Sequence, residues 1–406
     1  MIDPNTSAAS AAARPAWPNL LLFLVAVSLL SATGNMFETT FNNFLSDTYN
    51  MRADARGALE FPRELPGFLT VLTVAALVFL SETRVAAVAA LATGLGLLGM
   101  AFFGGSWTAM LVTLTVWSLG IHLIMPVRSS IAMDLAPGAT RGRRLGQISG
   151  VAVAASIAGC GLVWLLMRAY GKESYQLIFL IAGLGALAAG GVLLAMRMPG
   201  AHLARTGLVW NNRYRLYYVL AFLFGARKQI FITFGPWVLI KVFHQPAIIF
   251  AQLLIASAML GMLFQPLLGR AIDRFGERRI LMLDAVVIFL ICLGYGFAGH
   301  WGTSGLALWL LYACFVIDQL FFGAGMARDI YLSRIVVRKE DIAPTLSLGV
   351  TINHAVSMSI PWLGGWVWEA YGYDKVFLGA AAVALAMFLF ACRVQVPRAG
   401  EAGGRC

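Results

Sequence analysis

Apolar stretches recur along this chain with short polar breaks between them, and each has roughly the 20 residues that an α-helix needs to cross the hydrocarbon core of a bilayer. No other feature limits the fold as tightly. Of the 406 residues, 60% are apolar and only 12% are Asp, Glu, Lys or Arg, about half the charged content of a soluble domain. Twelve spans are expected, near residues 18–45, 65–81, 85–104, 107–133, 146–168, 175–196, 214–241, 247–269, 280–299, 306–332, 346–369 and 376–393. The predicted class is therefore an all-α membrane protein, and an even number of spans puts both termini on one side.

The net charge of +11 raises the question of nucleic acid. The basic residues fall in alternate loops, not on one amphipathic face, so no nucleic-acid partner is expected. With the N-terminus inside, nineteen of the 30 Lys and Arg residues lie on its side of the membrane, and seven (Arg52, Arg56, Arg63, Arg168, Lys172, Lys241 and Lys375) lie on the other. Cytoplasmic loops carry the excess of Lys and Arg, which places both termini in the cytoplasm and the chain in the cell (inner) membrane. The five cysteines show no CxxC or metal-ligand spacing and are expected as small buried side chains. No metal and no cofactor is implied. Residues 1–16 lack a charged leader and cleavage site and are expected as a disordered cytoplasmic tail, with a second tail at 396–406.

The longest cytoplasmic connection, about 198–213, divides six spans (17–197) from six (214–395). An internal repeat supports that division. Arg168-Ala169-Tyr170-Gly171 closes span five and Glu369-Ala370-Tyr371-Gly372 closes span eleven, 201 positions later, while Arg128 and Arg328 stand 200 apart. Two pseudo-symmetric six-helix bundles follow.

The loop after span eight runs Gly269-Arg270-Ala271-Ile272-Asp273-Arg274-Phe275-Gly276-Glu277-Arg278-Arg279. It resembles the G-x-x-x-D-R-x-G-x-R-R signature of the major facilitator superfamily, in a position that suits the family. Gly269 and Gly276 let the helix end and turn, Asp273 can accept from a neighbouring helix N-terminus, and the arginines hold the loop at the cytoplasmic surface. The corresponding loop of the first half, Ser81-Glu82-Thr83-Arg84, lacks the glycines and the aspartate, so gating contacts are expected to rest on Asp273 and Arg274. The resemblance implies two bundles rocking about a site near the midplane. It names no substrate.

An ionisable group within a span is a functional candidate by default. Four cations (Arg128, Arg227, Lys228, Arg328) and four anions (Glu38, Asp284, Asp318, Asp329) fall within the predicted spans, so mutual pairing is the plain alternative. Arg128, Arg328 and Asp329 lie near cytoplasmic ends and are assigned to structure or gating. Asp284 is expected to be solvated or paired with Arg278 or Arg279. The adjacent Arg227 and Lys228, followed by Gln229, sit deep in span seven and need an anion. The resemblance implies that spans one, four, seven and ten line the cavity, which sets Glu38 opposite them. Either Glu38 pairs with one of these cations, or they hold an anionic substrate group and Glu38 carries a coupling proton. Asp318 at mid-span and Asn353 with the titratable His354 complete the candidate set; a lone membrane histidine is as often a helix-to-helix hydrogen-bond partner. Arg63 and Glu64 are expected as a solvated start to span two, with Pro66 in its first turn.

No GxxxxGK[ST] motif is present. The expected function is a secondary active transporter of a small organic solute, with an anionic one favoured, linked to a coupling proton or ion and needing no obligatory protein partner. A multidrug efflux proton antiporter is the nearest alternative. A membrane enzyme acting on a lipid-linked substrate would need paired carboxylates or a His/Asp metal cluster near an interface. No HxxxH or DxxD spacing supplies one, so no catalytic residue is assigned.

Overall fold

The structure, a computed structural model, describes residues 17–77, 79–136, 141–198, 210–301 and 305–395. The predicted tails, residues 199–209 of the predicted linker and Pro137 of the turn after span four lie outside the described residues.

Among the described residues fifteen α-helices follow one another: α1 (Trp17–Tyr49), α2 (Ala53–Ala58), α3 (Glu60–Phe68), α4 (Thr70–Ala76), α5 (Glu82–Phe103), α6 (Trp107–Asp134), α7 (Arg141–Tyr170), α8 (Ser174–Ala195), α9 (Arg215–Lys241), α10 (Ala247–Phe275), α11 (Glu277–Phe297), α12 (Gly305–Phe321), α13 (Gly325–Ile335), α14 (Ile342–Tyr371) and α15 (Tyr373–Ala391). With α2–α4 forming one broken segment and α12–α13 another, they make twelve membrane-crossing segments in two bundles of six. Among the described residues, eight stretches are long and apolar enough to cross a membrane unaided, one of them taking in both α7 and α8. Segment two (α2–α4), α9 and α14 are not among them. These three segments, each interrupted by polar or charged residues, pack on one another.

Segment two departs from expectation. It starts at Ala53, not near residue 65. Arg56 and Arg63 are not loop residues, and Arg63 and Glu64 are not a solvated helix start: all are buried within α2 and α3. A hydropathy criterion stops at charges, yet charges that neutralise one another are tolerated inside a membrane bundle. Pro66 lies in the last turn of α3, where its missing N–H and its ring interrupt the helix; the break falls at Leu69 (φ −87°, ψ 4°) before α4 resumes.

In the first half α5 packs on α6 and α8, and α1 runs along α7 and α8. In the second half α11 packs on α15, and α9 on α14 and α15. The halves meet where α14 lies along α2 and α3 and where α10 lies along α7. A Cβ on Gly57 would overlap the Pro361 carbonyl oxygen, and one on Gly365 would overlap that of Ala53. Only glycine lets α2 and α14 approach backbone to backbone, as small residues do between membrane helices. At the same end Arg52 Nη2 reaches Glu369 Oε2 at 2.9 Å, and the Ala53 amide donates to Glu369 Oε1 at 2.8 Å. Toward the other end α4 packs on α6 of its own half and buries no residue. The halves are thus held together at the C-terminal end of α1.

Candidate functional site

Arg56, Glu60, Arg63 and Glu64 recur at i, i+4, i+7 and i+8, which puts them on one face of a helical path. That face turns inward. Arg56 donates from Nη1 to Glu60 Oε1 at 2.5 Å and from Nε to Asn42 Oδ1 of α1 at 2.9 Å. Arg63 Nη1 donates to both Glu60 oxygens at 3.0 and 3.1 Å, and its guanidinium sits 5.9 Å over the Trp117 ring. Gln229 of α9 crosses between the halves and donates to Glu60 Oε2 at 2.7 Å. Glu60, fully excluded from solvent, is the hub of a network that joins α2, α3 and α9. Full hydrogen bonding of this kind makes a buried carboxylate tolerable.

Glu38 does not meet span seven as expected. Its carboxylate accepts from Arg63 Nη2 at 3.2 Å and remains 44% exposed. Arg227 and Lys228 diverge because neighbouring positions on a helix point about 100° apart. Arg227 is 1% exposed and donates from Nη2 to Asp318 Oδ1 at 2.8 Å, with Asp284 Oδ1 at 4.0 Å. The prediction that Asp284 is solvated or paired with Arg278 or Arg279 is therefore corrected: it is buried beside Arg227. Lys228 turns the other way and donates to Asn353 Oδ1 at 2.8 Å. Next to Asn353, His354 Nδ1 lies 2.9 Å from Glu64 Oε2, linking α14 to α3 across the halves.

Four of these groups border a cavity of about 260 Å³ between α1, α3, α9, α10, α11 and α12. Its polar wall includes Glu38, Arg63, Lys228, Asp318 and Gln319, and its apolar wall includes Phe231, Phe250, Tyr295 and Phe315. Of the aromatic stripes on spans one and seven, Phe37, Phe41, Phe44, Phe234 and Trp237 are packed core, and Phe231 reaches the cavity. A larger cavity of about 650 Å³ lies at the C-terminal end of α1, bordered by Asn43, Asp47, Lys172, Lys241 and His244. It is separate from the buried network.

The predicted gating residues stand apart from this site. Asp273 and Arg274 are exposed at the end of α10, with Arg274 over the Phe275 ring at 5.4 Å, and Gly269 has open space around it. The contact made here is by Glu277, in the first turn of α11, whose Oε1 forms an ion pair with Arg334 Nε of α13 at 2.8 Å. The first half repeats it in weaker form: Glu82, in the first turn of α5, accepts from Ser130 of α6 at 2.8 Å. The loop that lacks the glycines and the aspartate thus keeps a carboxylate that ties one span to the next. Arg128 is exposed on α6. Arg328 donates to its neighbour Asp329 at 3.1 Å and lies 4.7 Å over the Phe224 ring.

A profile of the Major Facilitator Superfamily matches residues 65–336. The chain belongs to the Major Facilitator Superfamily. Solved structures agree in fold. A point mutant of the nucleoside transporter NupG superposes with a TM-score of 0.77 at 15% identity, covering 93% of this chain and 99% of the other. A D-xylose-proton symporter gives 0.69 at 13% identity, covering 96% and 99%. A bacterial homolog of the human lysosomal transporter Spinster, in an inward-facing and occupied conformation, gives 0.71 at 14% identity, covering 93% and 96%. No curated protein matches. Membership of this superfamily makes the chain a multi-pass membrane transporter, and it points away from enzymatic chemistry.

Lys228, Asn353 and His354, candidates from the sequence, lie close together here, with Lys228 on Asn353 and His354 on Glu64, whereas Arg56, Glu60 and Trp117 were missed. The missed signal was the helical spacing of four charges at 56, 60, 63 and 64, which a solvated loop has no reason to keep.

Proposed function

We propose that this protein is a secondary active transporter that moves a small organic solute bearing an anionic group, by alternating access and with proton coupling. It lies in the cell (inner) membrane with both termini in the cytoplasm. One observation carries the anionic preference. Among the cations facing the cavity, Lys228 has a neutral partner, Asn353, whereas Arg63 is held by Glu60 and Glu38. An ammonium bound only to an amide oxygen keeps attraction to spare for a carboxylate or phosphate. The aromatic wall takes the apolar body of the solute. Glu38, exposed to the cavity and bonded to Arg63 alone among the described residues, carries the coupling proton in this reading, because protonation releases Arg63 from it.

The aromatic lining, together with two carboxylates (Glu38 and Asp318) at the cavity, supports a second reading, efflux of cationic drugs. A thermal-stability screen of the purified protein separates the two. A solute that binds only the folded state at 100 times its dissociation constant adds about 2.7 kcal/mol. Carboxylate- or phosphate-bearing solutes are expected to stabilise the wild type and to lose that effect in Lys228→Ala, which keeps its own midpoint. Stabilisation by neutral and cationic drugs alone, unchanged in Lys228→Ala, would replace the anion reading with efflux.

A further inference from the structure

Glu64, His122 and His354 converge from α3, α6 and α14, and each offers one ligand atom within 4.8 Å of the other two. The imidazole rings stand 4.9 Å apart at 78°. Gly67 makes this approach feasible. A Cβ there would lie 2.5 Å from Cε1 of His354 and 2.6 Å from Cδ2 of His122, so any larger residue on that turn of α3 would push the rings apart.

We propose that Glu64, His122 and His354 form a binding site for a divalent transition-metal ion of the zinc class, and that its occupancy clamps the two halves in this arrangement. The donor set is two imidazoles and a carboxylate, which suits zinc and its first-row neighbours; calcium and magnesium demand six or more oxygens or a shell of waters. Bonds of about 2.0–2.2 Å in tetrahedral geometry set ligand atoms about 3.4 Å apart. The pair His354 Nδ1 and Glu64 Oε2, at 2.9 Å, is already inside that spacing, and small side-chain rotations bring in the third ligand.

The surroundings favour the same assignment. His122 is 8% exposed, and its Nδ1 lies 2.9 Å from the Ser118 carbonyl oxygen and 3.0 Å from Ser118 Oγ. A backbone carbonyl on one ring nitrogen fixes the tautomer that presents the other as a ligand, the usual outer contact of a metal-bound histidine. Glu64 takes no part in the Glu60 hub: its hydrogen-bond partner is His354 alone among the described residues. Three protein ligands leave a fourth position for water or for a substrate group. α3 and α6 belong to the first half and α14 to the second, so an ion held by two ligands of one half and one of the other would bridge the seam that alternating access must open. The clamp rests on the transport reading; the metal site does not.

Cobalt(II) titration of the purified full-length wild type tests the site without any solute. One cobalt per chain is expected, with the visible d–d absorption of a four- or five-coordinate nitrogen–oxygen site. No sulfur-to-metal band should appear, and zinc should displace the ion. His122→Ala and His354→Ala are each expected to weaken binding by more than about 100-fold, beyond the loss that removing an outer-shell partner causes. His300→Ala, at an exposed histidine away from the cluster, is expected to bind as the wild type does. A metal-free melting midpoint and a monodisperse elution profile matching the wild type certify that each variant is folded. Cobalt binding retained in both cluster variants, or absent from the wild type at millimolar metal, overturns the site. In proteoliposomes, zinc is expected to inhibit the wild type and not His354→Gln. Equal inhibition of both, with the cobalt result intact, overturns the clamp and leaves the site.

Discussion

Replacing Glu60 with alanine is expected to destabilise the protein by about 3–5 kcal/mol, the range for breaking a buried ion pair by removing one partner. The effect is large because one carboxylate serves three donors. Arg56 and Glu60 are both fully excluded from solvent, and Arg63 and Gln229 also donate to Glu60. Without it, Arg56 keeps only the neutral Asn42 amide, and Arg63 keeps only Glu38 at the cavity wall. Glu60→Gln keeps the shape and removes the charge, so it is expected to fall on the same side. Adding Arg56→Met to Glu60→Ala removes the stranded cation and is expected to recover part of the loss, a coupling that a double-mutant cycle measures directly. Thermal unfolding in detergent, followed by tryptophan fluorescence, reads all five proteins, the single Arg56→Met included. An unchanged midpoint in Glu60→Ala would show that water reaches these charges and that the hub is not a buried one.

The second large effect concerns the seam between the halves. Gly57→Val is expected to abolish transport while leaving both halves folded. Its Cβ would overlap the Pro361 carbonyl oxygen and lie 3.4 Å from the Gly365 Cα, and backbone atoms have no rotamer by which to yield. Overpacking of this kind costs about 1–3 kcal/mol, which here is charged only to the closed arrangement and corresponds to a shift of roughly 5- to 150-fold in the population of that state. A cysteine placed at Glu369, where α14 meets α2, is expected to react faster with a membrane-impermeant thiol reagent in Gly57→Val than in the wild-type background. Gly34→Ala, with nothing near its added methyl, serves as the control that should change neither transport nor labelling. Equal labelling in all three would mean that α2 and α14 do not form the moving seam.

These two sites explain why part of the molecule was legible from residues and part was not. Apolar length predicts a span wherever a helix faces lipid or apolar neighbours, and for most of the chain it does. The criterion fails for α2 and α3 because their inward face carries Arg56, Glu60, Arg63 and Glu64, residues a linear reading assigns to water. Nothing local distinguishes a charge that will meet a loop from one that will meet its partner 169 positions away, as Glu60 meets Gln229. The pairing of Glu38 with a cation of span seven fails for a related reason. It follows from which spans line the cavity, but the partner depends on helix rotation, and Arg63 stands closer than Lys228.

Consecutive residues were enough to establish the class of fold, the twelve crossings, the two halves and the superfamily, because hydrophobic length, internal repetition and a loop signature are local properties of a chain. They also placed Lys228, Asn353 and His354 among the candidates, since polar groups inside apolar spans stand out without knowledge of their neighbours. Who pairs with whom emerged only in three dimensions: Arg227 with Asp318 and Asp284, Glu60 with three donors, and His354 with Glu64. Pairing is set by distances between helices remote in sequence, and those distances arise only when glycines such as Gly57, Gly67 and Gly365 let the helices close on one another.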